Sequence, residues 1–151
     1  MNPVNKKKSV AVAGSIYKYI ATGEDTGGAY SLFEAIVPPK DPGPPPHIHR
    51  NEDEAFYVLE GEFSVSLGDE EFRAGRGGFI FLPRGISHSF RSESDEVGRL
   101  LVIVNPSGFE KFFDAVGESV EDDTVLPPLP SDEHIRKIID EAPKFGIQLI
   151  L

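Results

Sequence analysis

The sequence predicts an all-β domain, an antiparallel barrel or sandwich, with short helices at its C-terminal end. Three observations carry that expectation. Short alternating or apolar runs recur at even spacing from residue 9 to residue 105, each bounded by glycine or proline. The chain of 151 residues holds 15 glycines and 13 prolines, which favours many turns over long helices. Almost no helical pattern precedes residue 107.

Taken in order, residues 1–8 are polar and read as loose. Lys6, Lys7 and Lys8 before the apolar run 9–13 imitate a signal peptide, but Lys18 interrupts the run too soon. Residues 9–13 and 15–20 are β-rich and read as edge strands, and 22–28 is a glycine turn. In 29–37, Tyr30, Leu32 and Glu34 alternate with Ser31, Phe33, Ala35 and Val37. The proline-rich stretch 38–46 cannot sit in a central strand and reads as a stiff rim leading into His47.

Residues 54–60 alternate strictly, with Glu54, Phe56 and Val58 on one face and Ala55, Tyr57 and Leu59 on the other. Phe63, Val65 and Leu67 alternate with Ser64 and Ser66, a half-buried strand. After the Gly68-Asp69 turn, 70–74 returns, and 79–82 is an apolar strand closed by Pro83. Arg84-Gly85 turns the chain, and Ile86, His88 and Phe90 are expected on one face of the next strand. Residues 99–104 read as a buried strand.

Two helices are expected last. Ser107 to Glu110 has the form of a capping box, which opens a helix over 109–116 that Gly117 stops. An acidic, proline-rich linker spans 118–130. Ser131 then caps a helix in which Ile135, Ile138, Ile139 and Ala142 recur at helical spacing, ended by Pro143 and Gly146. The apolar tail 147–151 must dock on its own barrel or on a second subunit. The chain reads as one domain over 1–151, with a barrel core at about 9–105 and a helical extension at 106–151.

A formal charge of −10 argues against a nucleic-acid surface or an anionic membrane as partner. No stretch is long and apolar enough to span a membrane. There is no cysteine, hence no disulfide framework, no thiolate metal site and no Cys nucleophile. That fits a reducing compartment, and the expected location is cytoplasmic. Of the acidic clusters only Glu54 is set apart as functional; the rest read as solvated loops. His134 reads as a surface histidine.

The chemistry concentrates in residues 44–62. His47 and His49 share one face of an extended segment, with Glu54 just beyond and a third imidazole downstream at His88. Three imidazoles and a carboxylate suit one divalent transition metal: Fe, Mn, Ni, Zn or Cu. Phe56 and Val58 share the Glu54 face, and Ile86 and Phe90 the His88 face, so these four are expected to line the substrate pocket. Arg84 and Arg91 read as a turn and a rim arginine. The β-rich segment 9–20 and the tail 147–151 are spare covering elements, and a two-fold homodimer built on them is expected.

These residues resemble the cupin superfamily, small metal-binding β-barrels. His47-Ile48-His49, four residues, Glu54, six residues and Gly61 follow the family's first motif, G(X)5HXH(X)3–4E(X)6G; its opening glycine is replaced by Asp41, with Gly43 nearby. Gly77, Pro83, Gly85 and His88 follow the second motif, G(X)5PXG(X)2H(X)3N, with Ser92 in place of the asparagine. The 15 residues between Gly61 and Gly77 equal the family's short intermotif length. The resemblance covers about residues 30–105. It implies a double-stranded β-helix barrel with His47, His49, Glu54 and His88 as metal ligands. The C-terminal part looks like that of quercetin-dioxygenase-like cupins. This implies a metal-dependent dioxygenase acting on a small phenolic or enolic compound, with Glu54 as general base. An isomerase or lyase acting on a sugar or keto acid, and a non-catalytic small-ligand binder, are the alternatives.

Overall fold

The alternating runs form two antiparallel sheets in the computed structural model, which describes residues 7–151. The strands are β1 (Ser9–Val12), β2 (Ser15–Ala21), β3 (Ser31–Val37), β4 (His47–His49), β5 (Asp53–Glu60), β6 (Phe63–Leu67), β7 (Glu70–Ala74), β8 (Phe79–Leu82), β9 (His88–Ser92), β10 (Gly98–Asn105), β11 (Glu118–Val120) and β12 (Ile147–Leu149). Helices α1 (Gly23–Thr26), α2 (Glu110–Val116) and α3 (Asp132–Glu141) complete the chain, with a 3-10 turn over Ala142–Phe145. The larger sheet runs β11-β1-β2-β3-β10-β5-β8 and the smaller β12-β4-β9-β6-β7. The sheets stay separate hydrogen-bonded units, so the double-stranded β-helix is a jelly-roll sandwich and not a closed ring.

Period-two alternation decides what faces inward. Phe33, Ala35, Phe56, Val58, Leu100, Val102 and Val104 of the larger sheet are buried, as are Phe63, Val65 and Phe90 of the smaller. The two inner faces meet through Phe56 and Phe90, edge-to-face at 5.4 Å between ring centroids. Tyr57 points outward, beside its cross-strand partner Phe79, and both are exposed together with Phe81. The apolar run 79–82 is therefore only half buried: β8 is an edge strand whose alternate residues face solvent.

Several expectations change with tertiary context. Segments 9–13 and 15–20 are not edge strands, because β11 pairs outside β1 and β2 pairs with β3. β11 comes from the start of the acidic linker, which carries no strand-like alternation. The tail docks on its own domain: β12 pairs with β4, Ile147 opposite His49 and Leu149 opposite His47. Both β1–β2 and the tail thus pair within the domain. Of the loose N-terminus, residues 1–6 lie outside the described residues, while Lys7 and Lys8 are engaged: Lys7 Nζ donates to Asp25 Oδ1, and the Lys8 carbonyl accepts Tyr19 N–H.

The capping box at Ser107 does not form. Phe109 occupies the N-cap position, and Glu110 reaches away to α1 and β3. Ser131 does cap α3, its hydroxyl accepting His134 N–H. His134 is buried, contrary to the surface reading. Its Nε2 accepts Ala13 N–H at 3.1 Å and its Nδ1 lies 3.2 Å from Glu118 Oε1, which pins α3 to the β1–β2 turn and to β11. No helix among the described residues is long and apolar enough to cross a membrane.

Candidate metal centre

His47 and His49 sit on β4, one residue apart, and project from the inner face of the smaller sheet. β9 is the neighbour of β4 and sets His88 directly opposite His47. Glu54, near the start of β5, arrives from the larger sheet. The four side chains offer donor atoms that all lie within 4.8 Å of one another. That is close to the ~4 Å span across a metal with 2.0–2.2 Å bonds to nitrogen and oxygen.

Two outer contacts fix the imidazoles. His47 Nδ1 lies 3.0 Å from the Pro45 carbonyl, and His49 Nδ1 lies 2.8 Å from Glu52 Oε1. Both partners only accept, so each Nδ1 carries a hydrogen and Nε2 is the nitrogen left for the cluster. Glu52 is itself buried against His49, whereas the sequence reading placed it in a solvated cluster. The signal was its position three residues after His49, across the Arg50-Asn51 turn.

The inward atoms are left unpartnered. His49 Nε2, Glu54 Oε2 and both nitrogens of His88 are buried without a hydrogen bond. Glu54 Oε2 lies 3.2 Å from His49 Nε2 and 3.1 Å from His88 Nε2, near but not aligned as hydrogen bonds. Buried orphans of this kind cost stability unless something satisfies them. A cation taken by His49 Nε2, Glu54 Oε2 and one nitrogen of His88 satisfies three of these four atoms, and the residues therefore fit a divalent metal.

Electrostatics keep Glu54 and His47 in the state that a metal needs. Burial pushes the Glu54 carboxyl up, but the surrounding His49, His88 and His47 charges outweigh it and hold the pKa at about 2. Burial, aided by the His88 and His49 charges, lowers His47 to about 4. At neutral pH Glu54 is a carboxylate and His47 a neutral imidazole. His49 moves the other way: burial lowers it, but the Glu54 and Glu52 carboxylates together raise it above its usual value.

A cavity of about 420 Å³ opens on this cluster. His47, His49, Glu54, Phe56 and Phe90 are among its lining residues. Val58 and Ile86 do not line it. Val58 lies further along β5 within the core, and Ile86 is 42% exposed in the turn between Pro83 and β9, where strand alternation has not begun. The rest of the wall comes from parts that the sequence reading left unassigned: Phe109, Phe112 and Phe113 around α2, and Ile135, Ile138 and Ile139 of α3. Arg84 is bound to Asp53 and Arg91 to Glu71 and Glu93, all outside the cavity.

Residues 33–104 match the model of the cupin domain. The chain is 32% identical over 130 residues to a quercetin 2,3-dioxygenase of Aspergillus japonicus, a match covering 82% of this chain and 37% of that protein. It is 28% identical over 106 residues to a quercetin 2,3-dioxygenase of Bacillus subtilis (strain 168), covering 70% of this chain and 31% of that one. The chain thus spans about a third of the length of these two relatives. Among solved structures, the polyketide cyclase RemF from Streptomyces resistomycificus is similar with a TM-score of 0.57 at 27% identity, covering 71% of this chain and 78% of that one.

Proposed function

The chain belongs to the cupin superfamily, and from that premise we propose that it is a metal-dependent dioxygenase acting on a small, flat phenolic or enolic compound, held by His47, His49, Glu54 and His88 around one divalent transition metal. The observation that carries this reading is the cavity beside the cluster. Its walls are almost wholly apolar, and no lysine or arginine is among its lining residues. An aromatic substrate is at home there, whereas a sugar or a keto acid would find no lysine or arginine in the wall to supplement the metal. The similarity to two quercetin 2,3-dioxygenases points the same way.

The protein side of the chemistry follows from the geometry. Phe56 and Phe90 present ring faces and edges to a flat substrate beside the cluster. Glu54, ionised at neutral pH, takes the proton of a substrate hydroxyl brought to the cluster. The α2 phenylalanines and α3 isoleucines exclude water from the ring. A bound metal supplies Lewis-acid polarisation of the substrate oxygen and the redox partner for dioxygen.

A cyclase or lyase that consumes no oxygen is the second reading. It is favoured by the similarity to a polyketide cyclase, of which this chain covers 78% against 37% of the fungal dioxygenase. Oxygen uptake separates the two. The protein loaded in turn with Fe, Mn, Ni and Cu is expected to consume oxygen with at least one flavonol, catechol or 1,3-diketone. No uptake across that set overturns the dioxygenase reading.

A further inference from the structure

The cavity changes character with distance from the metal cluster. Aromatic rings adjoin the cluster itself: the Phe109 ring lies 4.9 Å from that of His49, and the Phe56 ring 6.4 Å from that of His88, between centroids. Further out the lining turns aliphatic. On β12, Ile147 stands opposite His49 and Leu149 opposite His47, and Ile150 N–H donates to the Pro46 carbonyl, so the row continues to Leu151. Ile147, Leu149 and Leu151 all line the cavity. The row passes from Ile147, buried, through Leu149, half-buried, to Leu151, which is 83% exposed. At strand rise it covers roughly 13 Å, from the cluster to solvent.

A second element reaches solvent in the same way. Ile135, Ile138 and Ile139 stand at helical spacing on α3 and form one stripe that lines the cavity. Such a stripe on a packed helix is ordinarily buried, yet Ile135 is 40% and Ile139 37% exposed. Leu129, just before α3, also lines the cavity and is 92% exposed. The helix is nonetheless anchored: Ala13 N–H donates to His134 Nε2, and Pro130 lies against Gly14 in the β1–β2 turn. The acidic and basic side chains of α3 take no part in the lining. Among the described residues Asp41, whose Oδ2 accepts Gly43 N–H, is the one charged lining residue outside the cluster. Where the cavity meets water, its wall is thus leucine and isoleucine on anchored elements.

Apolar surface kept at the opening of a cavity is unfavourable in water until a ligand covers it. Branched aliphatic side chains offer no ring face to stack on and no polar atom to pair with, so they suit a hydrocarbon chain better than a second, hydroxylated ring. We infer that the cavity takes a ligand of two parts: an oxygen-bearing ring at the metal cluster, and an alkyl chain that leaves along the β12 row and the α3 stripe toward Leu129 and Leu151. The inference rests on the phenolic or enolic reading above and adds a lipophilic tail to that substrate class. Ring compounds without a tail fill only the part of the site beside the cluster and bind more weakly.

The test measures affinity against tail length. The probes are 3-hydroxy-4-pyranones, which share one oxygen pair for the metal and carry a 2-methyl, 2-butyl, 2-hexyl or 2-octyl chain. Dissociation constants are measured by calorimetry under nitrogen on the full chain loaded with Ni(II), so no turnover is required. Wild-type affinity should rise by about three- to fourfold per added methylene, the scale of burying one CH₂. Leu129→Asp/Ile135→Asp, at two exposed positions of the lining, should flatten that slope. Val125→Asp, exposed but outside the lining, should keep it. Melting curves and metal content confirm that each variant is folded and loaded. A flat slope in wild type, as a mouth covered by a second copy of the chain would give, overturns the tail channel alone. So does a slope that survives Leu129→Asp/Ile135→Asp, or one that Val125→Asp removes equally. A wild type that binds no member of the series overturns the phenolic or enolic reading and the channel with it.

Discussion

Glu54 and Glu110 are both buried carboxylates, and the contrast between them separates a site from a staple. Glu110 is fully satisfied. Its Oε1 accepts the Ser31 hydroxyl at 2.6 Å and Gly108 N–H at 2.6 Å, and its Oε2 accepts Gly23 N–H at 2.7 Å. It binds the start of α2 to α1 and β3 with partners that the fold supplies. Glu54 has equal burial, but its Oε2 has no hydrogen bond and faces imidazole nitrogens that have none either. The same residue type is structural where neutral donors surround it. It is functional where the atoms around it are lone pairs that only a cation joins.

The strongest way to break this contrast is to exchange the consequences. The double substitution His47→Ala/His88→Ala should abolish metal binding, measured by elemental analysis, while Glu110→Ala leaves metal content unchanged. Undiminished metal in the double variant removes the basis for calling the cluster a site. In the same comparison Glu54→Gln, which keeps shape and loses the base, should lower turnover by about 10²–10⁴-fold. If it empties the metal instead, Glu54 acts as ligand alone.

A smaller effect sharpens the role of the outer shell. Glu52→Gln leaves all four inner side chains in place but weakens the bond that fixes His49. Metal affinity in a chelator competition should fall by about 10–100-fold, the usual worth of such partners. An unchanged affinity makes Glu52 a bystander.

The smallest effect belongs to Glu110. Its pKa is depressed: burial raises it, but the Ser31 hydroxyl and the Gly23 and Gly108 N–H groups outweigh that. A carboxyl held below its ordinary value stabilises the fold above that value, and the stabilisation is lost as pH falls through the folded pKa. Wild-type melting temperature should therefore drop below a pH of about 4.5, the ordinary glutamate value. Glu110→Gln should be less stable by about 1–3 kcal/mol at pH 7 and show a shallower acid slope. Equal slopes in the two proteins contradict the staple.

The part of this that was legible in the sequence is the part governed by local period. The His47-His49 pair, the Glu54 face and the inward phenylalanines follow from alternation along one strand. Ile86 failed because alternation was carried back through a turn, where Ile86 N–H bonds the Pro83 carbonyl and no strand has begun. Glu52 failed because its value lies in a bend of the main chain after His49. β11 was hidden in an acidic linker, since its pairing with β1 depends on a partner more than a hundred residues away and not on its own composition. His134 was hidden for the same reason: its burial depends on Ala13 and Glu118.

The pairing of β12 with β4 carries a consequence for synthesis. The strand that presents His47 and His49 has β9 on one side and β12 on the other. As the chain leaves the ribosome, β4 appears early, yet one of its two neighbours arrives only when residues 147–149 have been made. Until then the histidine strand has an open edge toward solvent and toward other nascent chains. Assembly of the centre is thus among the last events of folding, and a metal offered too early meets ligands whose strand has not been closed.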